Sequence, residues 1–254
     1  MNYDDLIDTT AEVGYMLVLN GAEIYRAEES MQRIFSAYGV NSGEVFVIPT
    51  FLSISVLTPD GHPITKIRRI PSHEMNLDKV DKINSLCRRV CRCTPSFSYI
   101  RRELDIIAKS SMFPVWTQVA AFAAVGFFFT LFYGGSFFDA LVSLLCGAVI
   151  KPVCDVLKRF NVNSFFINIA ASFFVAFLAL LAAKIDIYLS YDKIIIGALM
   201  NLVPGIAITS FMHDIIAGDL IAGILRLAES LLVATAIAIG AGIALTAMRM
   251  MLGV

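Results

Sequence analysis

Charged side chains are scarce in this chain of 254 residues, at 16%, whereas 57% of its residues are hydrophobic. Soluble domains average about 25% charged and about 45–50% apolar residues. The composition therefore excludes a disordered, collagen-like or disulfide-rich secreted chain, and it is too apolar for a soluble globular protein. The net charge of −1 gives no argument for binding to nucleic acid.

The sequence also lacks the short motifs that mark common catalytic sites, including Walker A, G-x-S-x-G and H-E-x-x-H. Its five cysteines include Cys87, Cys91 and Cys93, which we expect to be free thiols in a reducing compartment. A metal site formed with His73 is the less favoured alternative, because the spacing is not that of a zinc finger. We expect no metal and no cofactor.

The charge that is present is unevenly distributed. Residues 1–109 hold 13 Lys and Arg with 14 Asp and Glu, whereas residues 110–254 hold only 7 of each sign. Uncharged runs of 29, 24, 20 and 19 residues follow in the second part, and a transmembrane helix needs roughly 20. We therefore predict a soluble domain over 1–109 and a membrane domain over 110–254, with spans near 113–133, 137–157, 162–184, 193–212 and 221–248.

The second predicted span is interrupted by Lys151 and Pro152 and is followed by Asp155. One interpretation is a short span whose lysine reaches the membrane interface. The other is a broken helix with its polar end inside the bundle, where Asp155 would be a candidate for proton or ion coupling.

The first 109 residues show the patterns of an α+β domain. Apolar residues follow helical spacing over 4–20 and 22–38, separated by Gly21, and again over 75–93 and 97–109. Between these pairs, residues 45–48, 52–57 and 64–70 are rich in β-formers. A basic cluster precedes the first span, which predicts that this domain is cytoplasmic. The fold class is then an α-helical integral membrane protein with about five transmembrane helices and an N-terminal cytoplasmic α+β domain, multi-pass in the inner (plasma) membrane.

Polar residues within the predicted spans are the candidates for transport chemistry. Pro204 removes a backbone hydrogen bond inside the fourth span, so that Gly205 and Asn201 would line a substrate site. The alternative is a kink that serves packing alone. Small residues in the last span repeat every four positions and predict a helix–helix face: Ala236, Gly240 and Ala244, and also Ala234, Ala238 and Gly242.

Four charged residues follow the break, namely Asp214, Asp219, Arg226 and Glu229. Each such group costs at least about 2.5–3.5 kcal/mol at the centre of a bilayer, which favours a functional role over assembly alone for Arg226 and Glu229. Both roles stay open for Asp214 and Asp219, because a helix that begins at Asp219 would place that residue at the membrane interface. Arg226 would bind a substrate carboxylate through its planar guanidinium and pair with Glu229. Glu229, Asp214 and Asp219 are the candidates for proton or ion coupling.

Two motifs resemble those of the threonine/serine exporter family. Residues 21–29, GAEIYRAEE, are similar to its N-terminal G-A-E-x-x-R-x-E pattern. Residues 202–205, LVPG, and residues 213–219, HDIIAGD, with Gly223, Arg226 and Glu229, resemble its L-V-P-G, D-x-x-x-G-D and G-x-x-R-x-x-E run.

The resemblance covers nearly the whole chain and implies secondary export of small amino acids or C4-dicarboxylates such as succinate. Full-length members carry about ten spans. This chain looks like the larger chain of a divided, two-component exporter, which implies a smaller membrane partner with four or five spans. A higher oligomer is left open.

In the N-terminal motif, Arg26 can pair with Glu23 on one helix turn, leaving Glu28 to pair elsewhere. The alternative is a solvated helix face. A second function class, a membrane-anchored enzyme or sensor with its active site in residues 1–109, requires a nucleophile–base pair there. His62 and His73 have no obvious partners, so we expect a transporter rather than an enzyme.

Overall fold

The computed structural model describes residues 2–71, 75–110, 113–186 and 188–252. The chain forms two compact units, each built from two stretches of sequence. The first unit combines Met1–Ser111 with Ala207–Leu227, and the second combines Met112–Ile206 with Ala228–Val254. A mixed helix and sheet region is followed by a wholly helical one, in agreement with the predicted α+β and helical membrane parts.

The N-terminal stretch contains four helices and three strands. They are α1 (Tyr3–Leu19), α2 (Ile24–Ala37), β1 (Glu44–Ile48), β2 (Phe51–Leu57), β3 (Pro63–Arg69), α3 (Leu77–Cys93) and α4 (Phe97–Lys109). Every boundary lies within two residues of the sequence prediction. Gly21 makes the turn between α1 and α2 at a φ of +87°, a conformation that residues with a Cβ rarely adopt.

The three strands form an antiparallel sheet in the order β1-β2-β3. Alternation along β2 buries Leu52, Ile54 and Val56 and leaves Ser53 and Ser55 partly exposed, as the period of two requires. The buried face joins the core of α1, α2, α3 and α4. A residue far away in the sequence, Ala222, belongs to the same core cluster.

The rest of the described chain is helical. Its elements are α5 (Val115–Phe132), α6 (Phe137–Arg159), α7 (Ser164–Ile185), α8 (Tyr191–Leu199), α9 (Gly205–Ala217) and α10 (Leu220–Leu252). Four of these are long and apolar enough to cross a membrane: Val115–Phe132, Phe137–Arg159, Ser164–Ile185 and Leu220–Met250. They correspond to four of the five predicted spans.

The remaining predicted span, 193–212, is not one helix. It is divided between α8 and α9, with residues 200–204 between them. Pro204 has no backbone N–H to continue the helix, and the N–H of Gly205 bonds to the nearby carbonyl of Val203 at 2.8 Å. The part of the chain that the structure describes thus has four candidate spans where the sequence predicts five.

Helix α6 is continuous through Lys151 and Pro152, so the alternative of a broken helix at this point is wrong. The Lys151 ammonium lies 2.7 Å from the Asp155 carboxylate, one turn further along the helix. A proline is tolerated here because neighbouring helices and local adjustments can satisfy the carbonyl that it leaves without a donor.

One of the two small-residue stripes of α10 packs closely against α7. Ala236 and Ala244 are fully buried, and a Cβ on Gly240 would lie 2.2 Å from the carbonyl oxygen of Ile169. This stripe is therefore the predicted helix–helix face.

The other stripe is different. Ala234 and Ala238 are exposed, and a Cβ on Gly242 would meet no described atom within 4 Å. Its role as a packing face stays a prediction.

Candidate functional site

A tight helical hairpin carries the central residues of the candidate site. Gly218 separates α9 from α10 at a φ of +99°, and the N–H of Asp219 closes the turn on the carbonyl of Asp214 at 2.9 Å. A Cβ on Gly223 would lie 2.5 Å from Cγ1 of Ile215, so a glycine lets the two helices approach closely. The hairpin up to Leu227 belongs to the first unit.

Arg226 and Asp214 form a buried ion pair within this hairpin. An Nη1–Oδ2 distance of 3.2 Å separates the guanidinium from the carboxylate, and their side chains are only 10% and 0% exposed. The second guanidinium nitrogen, Nη2, donates to the carbonyl oxygen of Ala22 at 2.8 Å. Arg226 therefore connects the hairpin to the segment between α1 and α2.

The carboxylate of Asp214 has spare acceptor capacity. Its oxygens lie near the guanidinium of Arg226 and the backbone N–H of Ile24, but neither oxygen accepts a well-aligned hydrogen bond from the residues that the structure describes. A buried carboxylate whose donors are poorly aligned is costly and is uncommon in folded proteins. The pair thus offers a guanidinium and a carboxylate side by side, the groups that complement a carboxylate and an ammonium.

Two further carboxylates, those of Glu28 and Asp219, interact with each other and bring the two sequence motifs together. Burial raises the pKa of Glu28, and the negative charge of Asp219 raises it further, whereas a 2.7 Å hydrogen bond from the N–H of Val47 opposes the shift. Burial also raises the pKa of Asp219. Glu28 thus interacts with Val47 and Asp219, outside its own helix, and its pairing with a cationic side chain stays a prediction. Both carboxylates hold a proton more readily than in water.

The two other residues of the N-terminal motif, Glu23 and Arg26, form the predicted pair. The Nε atom of Arg26 lies 2.6 Å from a carboxylate oxygen of Glu23, three residues earlier. The Arg26 side chain is 59% exposed, and such surface pairs contribute little to stability. The pair lies at the start of α2 and leaves the Arg26 side chain open to solvent.

Several predicted site residues belong to the second unit. Asn201 uses its amide nitrogen to donate to the carbonyls of Phe122, at 3.0 Å, and Ala198, at 3.1 Å. It thereby joins α8 to α5. Pro204 and Gly205 form the helix break, as expected.

The remaining predicted groupings are less complete. Asp155 is held by Lys151, which removes the main reason to expect a free coupling carboxylate there. The grouping of Asn201, Pro204 and Gly205 with Arg226, and the pairing of Arg226 with Glu229, stay predictions.

The sequence did not reveal the contact between Arg226 and Ala22, because a backbone carbonyl carries no side-chain signal. The Asp214–Arg226 pair had a detectable signal. Gly218 followed by Asp219 is a typical helix end and helix start, and a hairpin at that point places Asp214 and Arg226 on facing helices.

Comparisons with known proteins identify the family of the chain. The model of the threonine/serine exporter family, ThrE, matches residues 8–248. A curated protein of Mycobacterium tuberculosis named "Probable threonine/serine exporter" is 19% identical over 237 residues, which cover 92% of this chain and 45% of that protein. The chain thus spans about half the length of the curated relative it matches. No solved structure matches the chain.

The family match includes both stretches that Arg226 connects, namely the segment between α1 and α2 and the hairpin of α9 and α10. It also includes the four apolar helices that are long enough to cross a membrane. The chain is a membrane protein that belongs to the threonine/serine exporter family.

Proposed function

We propose that this chain is a subunit of a secondary transporter that exports threonine and serine across the inner (plasma) membrane. The observation that carries the proposal is the buried Asp214–Arg226 pair, in a chain of the exporter family. A charged pair that is this buried is a weak contributor to stability, since desolvation offsets much of its attraction. Its presence in an apolar hairpin is better explained by a ligand than by stability alone.

The chemistry of the pair fits an amino acid zwitterion. The guanidinium of Arg226 binds a carboxylate through two parallel hydrogen bonds. The oxygens of Asp214, which accept no well-aligned hydrogen bond from the described residues, would accept those of the substrate ammonium. Binding would require Arg226 to exchange the carbonyl of Ala22 for the substrate, which links occupancy of the site to the segment between α1 and α2.

A C4-dicarboxylate such as succinate is the weaker candidate substrate. It lacks an ammonium group and would bring two negative charges close to the carboxylate of Asp214. Glu28 and Asp219 add further acidic groups to the same unit. The charges of the site therefore favour a zwitterion over a dianion.

Proton coupling is assigned to Asp219 within this proposal, with Glu229 as a second carrier. The raised pKa of Asp219 allows it to take up and release a proton closer to neutral pH than a free carboxylate does. Such a carboxylate can link substrate release to proton entry.

A second membrane subunit with four or five spans completes the exporter in this proposal. The curated relative is about twice as long as this chain, which leaves half of it for a partner to match. The exposed stripe of Ala234, Ala238 and Gly242 on α10 offers a surface on which another helix can pack closely.

Export from cells tests the proposal. Cells without their own exporters, supplied with a threonine dipeptide that their peptidases hydrolyse, should release threonine when they express this chain and its partner. Arg226→Lys and Asp214→Asn should each abolish that release at equal membrane levels. Arg89→Lys, at a partly exposed pair on α3, is the matched control and should export normally.

Two outcomes would contradict the proposal. Export of threonine at the wild-type rate by both site variants would exclude the pair as a binding site. Release of succinate but not of threonine by the wild type would reverse the order of the substrates. For the partner, saturable threonine efflux from liposomes that contain this chain alone would show that no second subunit is required.

A further inference from the structure

A groove with four arginines lies between α2 and α3, and neither Asp214 nor Arg226 lines it. Its volume is about 960 Å³, near the upper end of the roughly 300–1,000 Å³ that small-molecule sites occupy. Its charged lining consists of Arg26, Arg33, Arg88, Arg92 and one carboxylate, Glu29. With the carboxylate of Glu23, which lies 2.6 Å from Arg26, the four arginines and two glutamates give the groove a local charge of +2, in a chain whose net charge is −1.

The arginines stand in two facing rows. Arg88 and Arg92 are four residues apart on α3, in line with Asn84, so that all three lie on one face of the helix. On the opposite wall, Arg26 and Arg33 are two turns apart on α2. Like charges brought together in this way repel one another unless an anion lies between them.

The charge of Arg33 on one wall of the groove acts on a cysteine of the other wall. Burial raises the pKa of the Cys91 thiol on α3, and the guanidinium of Arg33 on α2 opposes that shift. Burial also raises the pKa of Cys87, to about 12. At neutral pH both cysteines are therefore thiols, so they form a neutral floor rather than a nucleophile.

Elsewhere in the first unit, four cationic side chains pair with carboxylates from other elements. The pairs are Arg89 with Glu103, Arg101 with Asp5, Lys66 with Asp8 and Arg68 with Glu12. In the groove, Arg26 and Arg33 have only carboxylates of their own helix. Arg88 donates to the hydroxyl of Ser85 at 2.8 Å, and within the described residues neither Arg88 nor Arg92 forms an ion pair.

We propose that this groove binds an anionic, phosphate-bearing ligand, as a second site separate from that of the exported substrate. A terminal phosphate group carries about −1.5 to −2 charges near pH 7, which matches the +2 of the groove, and the phosphodiester of a lipid headgroup carries a single negative charge of the same sign. A zwitterionic amino acid has no net charge to match it. Planar guanidinium groups bind phosphate oxygens in pairs, and the amide of Asn84 adds a neutral hydrogen-bonding group.

The ligand chemistry has two sources, a soluble diphosphate or nucleotide and the headgroup of an anionic phospholipid. Both place phosphate oxygens between the same two rows of arginines. An export protein with such a site would respond to the level of a phosphorylated metabolite or to the lipid around it.

Titration calorimetry on the full chain in detergent tests the proposal, with inorganic pyrophosphate and ATP as probes. The wild type should bind both in a saturable manner that weakens as salt is added. The double variant Arg88→Gln and Arg92→Gln should weaken binding at least about tenfold. Both side chains are exposed and form no ion pair, so their removal should leave the unfolding temperature unchanged.

The matched control is Arg102→Gln, another exposed arginine, on α4 and outside the groove. It should bind pyrophosphate like the wild type. No saturable binding to the wild type, or an equal loss in the Arg102→Gln variant, would overturn the proposal. Neither result would affect the export assay with Arg226→Lys, because the two sites share no residue.

Nanodiscs separate the two sources. Pyrophosphate should bind in discs of phosphatidylcholine, and the comparison is with discs that also contain phosphatidylglycerol. Weaker apparent affinity for pyrophosphate in the anionic discs would assign the groove to a lipid headgroup. The Arg88→Gln and Arg92→Gln variant should then show no difference in affinity between the two kinds of disc. Equal affinity in both discs would assign it to a soluble phosphate, and absence of binding in both would again overturn the proposal.

Discussion

Removing the guanidinium of Arg226 should release the hairpin of α9 and α10 from the segment between α1 and α2. Arg226→Met leaves the carboxylate of Asp214 without its cationic partner at 0% exposure and the carbonyl of Ala22 without its donor. Removing one member of a buried pair costs about 3–5 kcal/mol. The hydrogen bond to Ala22 belongs to the same network, so its contribution does not simply add. We expect a loss of about 4 kcal/mol in the free energy of unfolding.

That loss converts into a measurable shift of the unfolding temperature. For a protein of this size, 1 kcal/mol corresponds to about 2–4 °C, so Arg226→Met should unfold about 8–16 °C below the wild type. Scanning fluorimetry in detergent at one fixed heating rate measures it. The double variant Asp214→Asn and Arg226→Met removes both charges and should recover at least about 2 kcal/mol of the loss.

Arg89→Met is the matched control, because the pair of Arg89 with Glu103 is 55% and 26% exposed. It should cost less than about 1 kcal/mol. Equal unfolding temperatures for Arg226→Met and Arg89→Met would refute the reasoning, and so would a double variant as unstable as Arg226→Met alone. In either case the buried pair would not hold the hairpin in place.

Three further predictions concern other parts of the chain. Gly240→Val should destabilise the packing of α10 by several kcal/mol, because its Cβ would lie 2.2 Å from the carbonyl of Ile169. Gly242→Val should fold normally and weaken only the association with a partner. The unfolding temperature measures the first effect and co-purification the second. Pro204→Ala should join α8 and α9 into one helix, which would be seen as slower hydrogen exchange over 200–205. It should also reduce export if the helix break is functional. Faster or unchanged exchange would contradict the idea that Pro204 separates the two helices. The pKa of Glu28 is raised, so the folded chain holds this proton more tightly than the unfolded chain and loses stability as the pH rises through the raised value. Glu28→Gln should flatten that decline in unfolding temperature, and an unchanged pH profile would argue against it.

Local patterns predicted the secondary structure well, because helical and strand periods are properties of neighbouring residues. The strands and the helices of residues 2–71 and 75–110 agree with the sequence to within two residues. The division of the fourth span follows from Pro204 alone. These features need no knowledge of the tertiary structure.

Long-range contacts were harder to predict for a physical reason. Lys151 and Pro152 look like a helix break in isolation, yet α6 continues through them with Lys151 paired to Asp155. Arg226 meets Ala22, which is 204 residues away in sequence, through a backbone oxygen that every residue possesses. Only the fold decides which carbonyl is available, so no pattern of side chains could have identified it.

The division of the first unit between two distant stretches sets an order of events during protein synthesis. Its core includes Ala222, and its buried ion pair needs Asp214 and Arg226, so it is incomplete when residue 111 leaves the ribosome. A further 116 residues must be made before residue 227 is available, which takes about 6–23 s at roughly 5–20 residues per second. The apolar surface against which the hairpin packs therefore stays exposed while the intervening helices are made. A fragment that stops before residue 207 should bind chaperones and aggregate more readily than one that extends past residue 227.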